Sequence, residues 1–313
     1  MEMRQLRYFV AVAEELHFGH AAVRLHMAQP PLSLQIRQLE EELGVPLLRR
    51  TKRKVELTDG GAAFLPEARR ILVAVEGAKE AARRAHRGES GRLVIGFVTS
   101  AAAEVLPTVL RAHRERYPAV EMTLRELTVG EALQALERGT IGVGLLRPPV
   151  GSAALAYEVI RREPFVVALP ERHPLAAHGT LALAALAGQP FILFPRHWGS
   201  GLYDQVISHC MAAGFSPDVV QEATEMTTIV GIVAAGIGIS LVPAPVALLR
   251  TAGVAYRPLI APGLLGELAM AWRRDETSGV VAAFLATARA ALTPEGGDSS
   301  NKPDLESIRV ASK

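Results

Sequence analysis

The sequence contains one cysteine, Cys210, among 313 residues. A single thiol cannot close an intrachain disulfide, so no cystine framework holds the fold, and the chain suits a reducing compartment. Nothing near Cys210 supplies a resolving thiol, which argues against a redox sensor. Long apolar runs are also missing: no stretch reaches the roughly 18 uninterrupted apolar residues that spanning a bilayer needs. The opening residues MEMRQLRYFVAVAEEL interrupt their apolar positions with charge and lead to no small-residue cleavage site. They do not read as a signal peptide, and the cytoplasm is the expected compartment. Strong net charge is absent too, at +2 overall. Its distribution says more. Residues 1–92 carry 16 Lys and Arg against 12 Asp and Glu, and the remainder carries 18 against 20. A basic front and a mildly acidic back suit a chain that touches a polyanion at one end, although a solvated helical face would give the same count.

Catalytic patterns are equally sparse. Ser200 lies in WGSGL and Ser240 in GIGISLV, and neither forms the G-x-S-x-G elbow of a nucleophilic serine. His17, His20 and His26 have no cysteine or carboxylate at ligand spacing, so they read as polar or core residues and no metal is expected. No spaced glycines follow a strand as a phosphate cradle requires. An enzyme is not the expected reading.

Helical periodicity dominates the first part of the chain. Leu6, Phe9, Val10, Ala13 and Leu16 recur at three- and four-residue spacings, predicting an amphipathic helix over 5–16. A short helix over 18–25 follows, with Ala21, Ala22 and Leu25 inward. After His26-Met27-Ala28 a third runs over 30–43, its stripe being Leu32, Ile36, Leu39 and Leu43, with Glu40, Glu41 and Glu42 on the solvent side. Pro30 and Pro31 are tolerated because first-turn positions have no intrahelical N–H bond to lose. Gly44 stops the helix. Residues 45–57 then read as a basic hairpin. Thr58-Asp59 can cap a long helix to about residue 86, with Pro66 demanding either a kink or a later start. Its stripe of Phe64, Ala68, Ile71, Leu72, Val75, Ala78 and Ala82 needs a partner, which points to self-association. Residues 87–91 are a polar, glycine-containing joint.

Beyond the joint the texture alternates. Strands are predicted at 93–98, 120–126, 142–146, 165–170, 190–195, 239–243 and 267–272. Helices are predicted at 105–117, 129–137, 202–213, 227–235, 244–250 and 278–291. Such alternation argues for parallel α/β layers. From 294 onward Ser, Asp, Gly and Lys predict a disordered tail.

Helix, short helix, turn, longer helix and basic wing together form a helix-turn-helix pattern. An α-helix fits the major groove, where each base pair shows its own donor and acceptor pattern. Gln29 carries an amide able to pair with adenine at two points. Pro30 and Pro31 offer apolar contact to a thymine methyl, and Ser33 can bond a phosphate or a base. Arg49, Arg50, Lys52, Arg53 and Lys54 are placed to neutralise phosphates or enter the minor groove. A small helical subdomain with a charged loop is the plainer alternative.

The run LRYFVAVAEELHFGHAAVRLHMAQPPLSLQIRQLEEELGVPLLRRTKRKVELTDGGAAFL resembles the N-terminus of LysR-type transcriptional regulators. The resemblance continues through GFVTS, LRAHRERYPAVEMTLRE, HPLA, ILFPR and VAAGIGISLVPA, covering roughly residues 2–292. Its phrasing is most similar to the subgroup that controls catabolism of aromatic compounds (muconate, benzoate, catechol). The resemblance implies a multidomain chain: an all-α winged helix-turn-helix DNA-binding domain at 1–58, a linker and dimerisation helix with hinge at 59–91, and an α/β two-lobed effector domain at 92–293. That domain would resemble a type 2 periplasmic binding protein, with lobe one at 92–163 and 267–293, lobe two at 164–266, and a flexible tail at 294–313. Family members often have arginine where this chain has Leu34, which shifts DNA reading toward Gln29, Ser33 and Arg53.

The resemblance also implies an anionic ligand held where the first strand of lobe one gives way to a helix, at Thr99 and Ser100, with Thr128 and Val129 at the next such junction. Arg196, Ser200, Gly201 and Leu202 would face it from lobe two. Thr227 and Thr228 either cap a helix or donate hydroxyls to the ligand. Arg147, Arg161, Glu163 and Glu225 resemble a charged group between lobes, which is a structural ion network, a second ligand site or a switch. No cofactor is expected beyond a small-molecule co-inducer, a muconate- or benzoate-like carboxylate. Expected partners are double-stranded DNA, further copies of the chain as a dimer or dimer of dimers, the effector and RNA polymerase. A stand-alone solute-binding protein is the rival reading for the second half, but it would need neither the helix-turn-helix nor its wing.

Overall fold

The computed structural model describes residues 1–51, 54–198, 200–261 and 263–293. The expected tail, together with Lys52 and Arg53, lies outside the described residues. Two compact units divide at Arg84 and Ala85. The first begins with α1 (Met3–Glu15), α2 (Phe18–Arg24) and α3 (Gln29–Leu43), followed by a ribbon of β1 (Leu48–Arg50) and β2 (Val55–Leu57) and by α4 (Asp59–His86). Each helix starts where its sequence lets it. Glu2 and Gln5 form a capping box on α1, and His17 caps α2 by accepting from the N–H groups of Gly19 and His20 at 3.1 and 3.2 Å. That cap is the role of one of the three histidines, with its Nδ1 as the acceptor. Gly44 ends α3 in the left-handed region at φ 71°.

Leu6, Phe9, Val12, Ala21, Leu32, Ile36 and Leu39 close the core of this unit. Two expectations change here. α4 starts at Asp59 and passes through Pro66, so the later start is excluded. The stripe assigned to self-association is partly used inside the unit: Ala68 is fully buried, Phe64 packs tilted against Phe9 with centroids 5.3 Å apart, and Ile71 and Leu72 pack on the same core. Val75 is half-buried, while Ala78 and Val73 remain exposed. Glu14 ties three helices by pairing with Arg69 at 2.7 Å and Arg24 at 2.8 Å. Those bonds, Arg69's first, hold its carboxyl below the usual range.

The second unit contains, in order, β3 (Ser90–Phe97), α5 (Val105–Arg116), β4 (Ala119–Glu126), α6 (Val129–Glu137), β5 (Val143–Leu146), β6 (Leu155–Pro170), β7 (Leu181–Ala182), β8 (Pro190–Leu193), α7 (Ser200–Ala212), β9 (Asp218–Glu222), α8 (Met226–Ala234), β10 (Ser240–Pro243), β11 (Val254–Ile260), β12 (Leu265–Arg273) and α9 (Gly279–Leu292). The main sheet runs β4-β3-β5-β12-β6-β11-β7, with β10 also on β6, and β8 pairs with β9. The expectation of parallel layers is corrected to a mixed sheet. β3 is parallel to β4 and β5, but β12 runs antiparallel to both β5 and β6, as do β10 and β11 to β6.

Separate cores mark two lobes. Ile95, Val109, Leu145, Met270 and Phe284 belong to one, and Val167, Phe191, Val206, Val230 and Leu241 to the other. β6 serves both, pairing with β12 from Leu155 to Pro164 and with β10 and β11 from Phe165 to Pro170. The chain therefore crosses between lobes along β6 and returns between β11 and β12. The segment predicted as a helix at 244–250 is a 3-10 turn, Ala244–Leu249.

The joint before β3 is a fitted contact. Gly88 has φ 72°, and a Cβ there would lie 2.1 Å from the Gly279 carbonyl oxygen at the start of α9. A side chain at 88 has no room against that backbone, and the left-handed φ disfavours it as well.

His113 is fully buried between α5 and α9, with Nδ1 3.5 Å from Thr287 Oγ1 and no partner for Nε2. Burial holds its pKa below the ordinary histidine value. The unfolded chain then takes up the proton first, so this residue lowers stability as pH falls below about 6.5 and has no such effect above it. His113→Leu is expected to flatten the acid side of the thermal-melting profile between pH 7 and about pH 5. An unchanged slope would remove His113 from the acid sensitivity. Among the described residues no helix is long and apolar enough to cross a membrane, and no cluster of His, Cys, Asp or Glu could hold a metal.

Candidate nucleic-acid interface and effector cleft

Gln29, Pro30 and Pro31 open α3 and are all exposed, so its first turn presents an amide and two apolar rings outward. Ser33 lies one turn on, half-buried, and Arg37 is exposed a further turn along. The ribbon is fastened to this helix. Glu40 Oε1 accepts from the N–H groups of Leu47 and Leu48 at 2.8 and 2.9 Å, so Glu40 faces the ribbon and does not lie on the expected solvent side. Arg50 donates to Ser33 Oγ at 2.9 Å and to Glu40 Oε2 at 3.2 Å, and stacks over Phe18 at 4.5 Å. Arg50 and Ser33 thus hold each other. Arg49 is exposed on β1, and Lys54 pairs with Glu56. Lys52 and Arg53 cannot be placed, being outside the described residues.

A cleft opens between the lobes of the second unit. Its lining includes Thr99, Ser100, Thr128, Val129, Ser200, Gly201 and Leu202, seven of the residues expected there. Thr99 and Ser100 sit on a 3-10 turn after β3, where opening N–H groups have no partner within the turn. Thr128 caps α6, and its N–H and hydroxyl both donate to Glu131 Oε2 at 2.9 Å. Those bonds lower the Glu131 pKa. Gly201, at the start of α7, approaches the other lobe closely: a Cβ there would lie 2.4 Å from Pro149 Cδ.

Two expected lining residues do not reach the cleft. Arg196 turns to Asp204, donating through Nε at 2.6 Å and through a terminal nitrogen at 2.8 Å, and holds that carboxyl below the usual range. Thr227 is exposed on α8 outside the lining. The four-residue charged group divides. Arg147 and Glu163 form a buried ion pair at 2.7 Å, while Arg161 pairs with Glu104 at 3.2 Å. Glu225 bonds to the Thr99 hydroxyl across the cleft and lines it, as does Arg147. Arg147 Nε donates to Ser100 Oγ at 3.0 Å, and a terminal nitrogen donates to the Glu267 carbonyl at 3.3 Å. Sequence reading missed Leu127, Pro148, Pro149, Phe194, Thr224 and Met226. Pro148 and Pro149 lie just past the carboxyl end of β5, after Arg147, the position where ligands of α/β sheets collect, and that signal could have found them. Cys210 is buried with its pKa pushed up to about 11, so it holds its thiol form and is not a reactive thiolate.

Residues 3–62 match the model for the bacterial regulatory helix-turn-helix protein of the lysR family, and residues 86–293 match the LysR substrate binding domain. The chain belongs to the LysR family. Relatives include the HTH-type transcriptional regulator AlsR of Bacillus subtilis, 45% identical over 91% of this chain and 94% of that one. The Hca operon transcriptional activator HcaR of Escherichia coli is 40% identical over 91% and 96%. Among solved structures, the LysR-family regulator CbnR matches with a TM-score of 0.82 at 33% identity, covering 92% of this chain and 100% of that one. CbnR complexed with its target DNA matches at 0.79 and 32%, covering 93% and 100%. This LysR-type chain is a DNA-binding transcription regulator with an effector-binding domain, and its relatives are regulators, not enzymes.

Proposed function

We propose that this regulator reads DNA with the first turn of α3 and the basic ribbon, and that a small carboxylate in the interlobe cleft sets its activity. The observation that carries the second part is the cleft itself, where unpartnered turn N–H groups, the Ser100 hydroxyl and apolar walls converge. Free N–H groups at the start of a turn or helix favour an anion. The sequence phrasing suggests the aromatic-catabolism subgroup, with muconate- or benzoate-like acids as first candidates and activation in the cytoplasm together with RNA polymerase as the outcome. Self-association through the exposed part of α4, near Val73 and Ala78, would pair two DNA-reading units, and two pairs would make a tetramer. The effector then shifts a population between lobe settings by its difference in affinity for them.

On the DNA side, Gln29 and Arg49 are the exposed groups placed for base and phosphate contact respectively. Gln29→Ala is expected to lose about 1–3 kcal/mol of discrimination at one base pair. Arg49→Ala should weaken binding to all sequences alike and reduce the salt slope by about 1. Fluorescence anisotropy with the chain's own upstream DNA, across a salt series, separates the two. Unchanged affinity in both variants would refute the assignment of α3 and the ribbon as the DNA-reading surface.

A further inference from the structure

The hydroxyl of Thr99 has one hydrogen and stands between two carboxylates. It lies 2.6 Å from Glu126 Oε1 and also contacts Glu225 Oε2, spanning the two lobes. One hydrogen cannot serve two ionised acceptors at once. Among the described residues neither carboxylate takes part in an ion pair. Glu225 lines the cleft, and Glu126 is exposed at the end of β4. Like charges brought this close repel, and a cation seated beside them relieves the repulsion.

Ser100, the next residue, has the opposite polarity. It is 6% exposed, and its oxygen already accepts from Arg147, so its hydrogen is left to donate into the cleft. Thr128 adds no donor, because Glu131 takes both its N–H and its hydroxyl. α8 starts directly after Glu225 with no side-chain cap, leaving first-turn N–H groups for an anion. Val98, Leu127, Phe194 and Leu202 make the walls apolar. The cleft therefore asks one ligand to carry an acceptor and a cationic donor close together, with a small apolar group beside them.

We propose that the effector is a zwitterionic amino acid with a short apolar side chain. Its ammonium sits against Glu225 beside the Thr99 hydroxyl, with the Glu126 charge behind that hydroxyl, and its carboxylate takes the Ser100 hydroxyl and the open N–H groups beside it. This rests on the carboxylate-effector reading and narrows it. A dianion such as muconate would set a second negative charge against the two carboxylates.

The test is titration of the full-length protein with L-alanine, L-valine and L-leucine, with 3-methylbutanoate (the valine skeleton without its ammonium) and with cis,cis-muconate, followed by calorimetry and thermal shift. L-Valine is expected to bind at least about tenfold more tightly than 3-methylbutanoate, in line with a charge-assisted hydrogen bond. Glu225→Gln should erase that preference while keeping 3-methylbutanoate binding, and Glu126→Gln should reduce it less. Three results each overturn the ligand class: no amino acid binds, an acid without an ammonium binds the wild type more tightly, or Glu225→Gln leaves the valine preference intact. Ser100→Ala tests the underlying reading separately. Loss of both valine and 3-methylbutanoate binding supports the cleft, whereas acids that bind Ser100→Ala as they bind the wild type overturn the cleft reading whatever their class.

Discussion

Arg147→Met is expected to lower the stability of the effector unit by about 3–5 kcal/mol, because it removes one partner of a buried ion pair. The Arg147 and Glu163 side chains are only 7% and 6% exposed, and their bond is 2.7 Å long. Taking either charge from water is costly, and the pair is tolerated because each group meets the other with good geometry. Arg147 has further acceptors in Ser100 Oγ and the Glu267 carbonyl, so each of its three nitrogens is engaged. Methionine fills similar length and leaves the Glu163 carboxylate buried with nothing to neutralise it. For a unit near 200 residues the loss corresponds to a drop of roughly 6–20 °C in Tm. The control is Arg147→Met with Glu163→Leu. Removing both charges should restore most of the stability, since a buried pair replaced by apolar residues is often neutral. Effector response should stay lost in the double variant, because Ser100 would then have no guanidinium to orient its hydroxyl. A single variant that melts within a degree or two of wild type would show that water reaches Glu163 and compensates its charge.

The helical front was legible because its periodicity is local. The stripes Leu6–Phe9–Ala13 and Leu32–Ile36–Leu39 repeat at helical spacing, and the residues that start and stop each helix lie within a turn of it. Even there a non-local contact escaped. Glu40 sits in a run of three glutamates that reads as a solvent face, and only the folded ribbon shows it accepting the Leu47 and Leu48 N–H groups. The strands were harder. β6 spans Leu155–Pro170, but Glu158, Arg161, Arg162 and Glu163 fall within its first nine residues and hide the strand from a hydrophobicity reading. β9 is short and mostly exposed, and β11 contains Arg257 and Pro258, so neither looks like a buried strand.

The cleft divides along the same line. Ser100 and Val129 stood at strand-to-helix junctions, and the family resemblance singled those junctions out. Arg196 occupied a similar place yet was taken by Asp204 eight residues later, a pairing that depends on how the turn folds. Glu225 lies 126 residues from the hydroxyl it bonds, and no pattern in the chain brings the two together. What a sequence conceals here is which polar groups are already satisfied, and that decides which of them a ligand can use.

Gly61→Ala is expected to disrupt DNA binding without touching a single proposed DNA contact. Gly61 is buried in the first turn of α4, and a Cβ there would lie 2.0 Å from the Leu47 carbonyl oxygen. The neighbouring atom is backbone, so no side-chain rotation can relieve the overlap. Leu47 precedes β1, and its oxygen already accepts from the Thr58 N–H at 3.0 Å. Either α4 or the ribbon must move, and overpacking of this kind costs typically about 1–3 kcal/mol, more where backbone must shift. Movement of the ribbon would break the register that places Arg50 on Ser33 and Glu40, and with it the position of Arg49 relative to the start of α3. The expected result is a large fall in affinity for the upstream DNA with effector binding retained, since the cleft belongs to the other unit. Gly60→Ala is the matched control: its Cβ would meet Pro46 O at 3.4 Å, ordinary contact, and a helical alanine there should be near neutral. If Gly61→Ala bound DNA as well as Gly60→Ala, the close approach of α4 to the ribbon would not be what sets the wing.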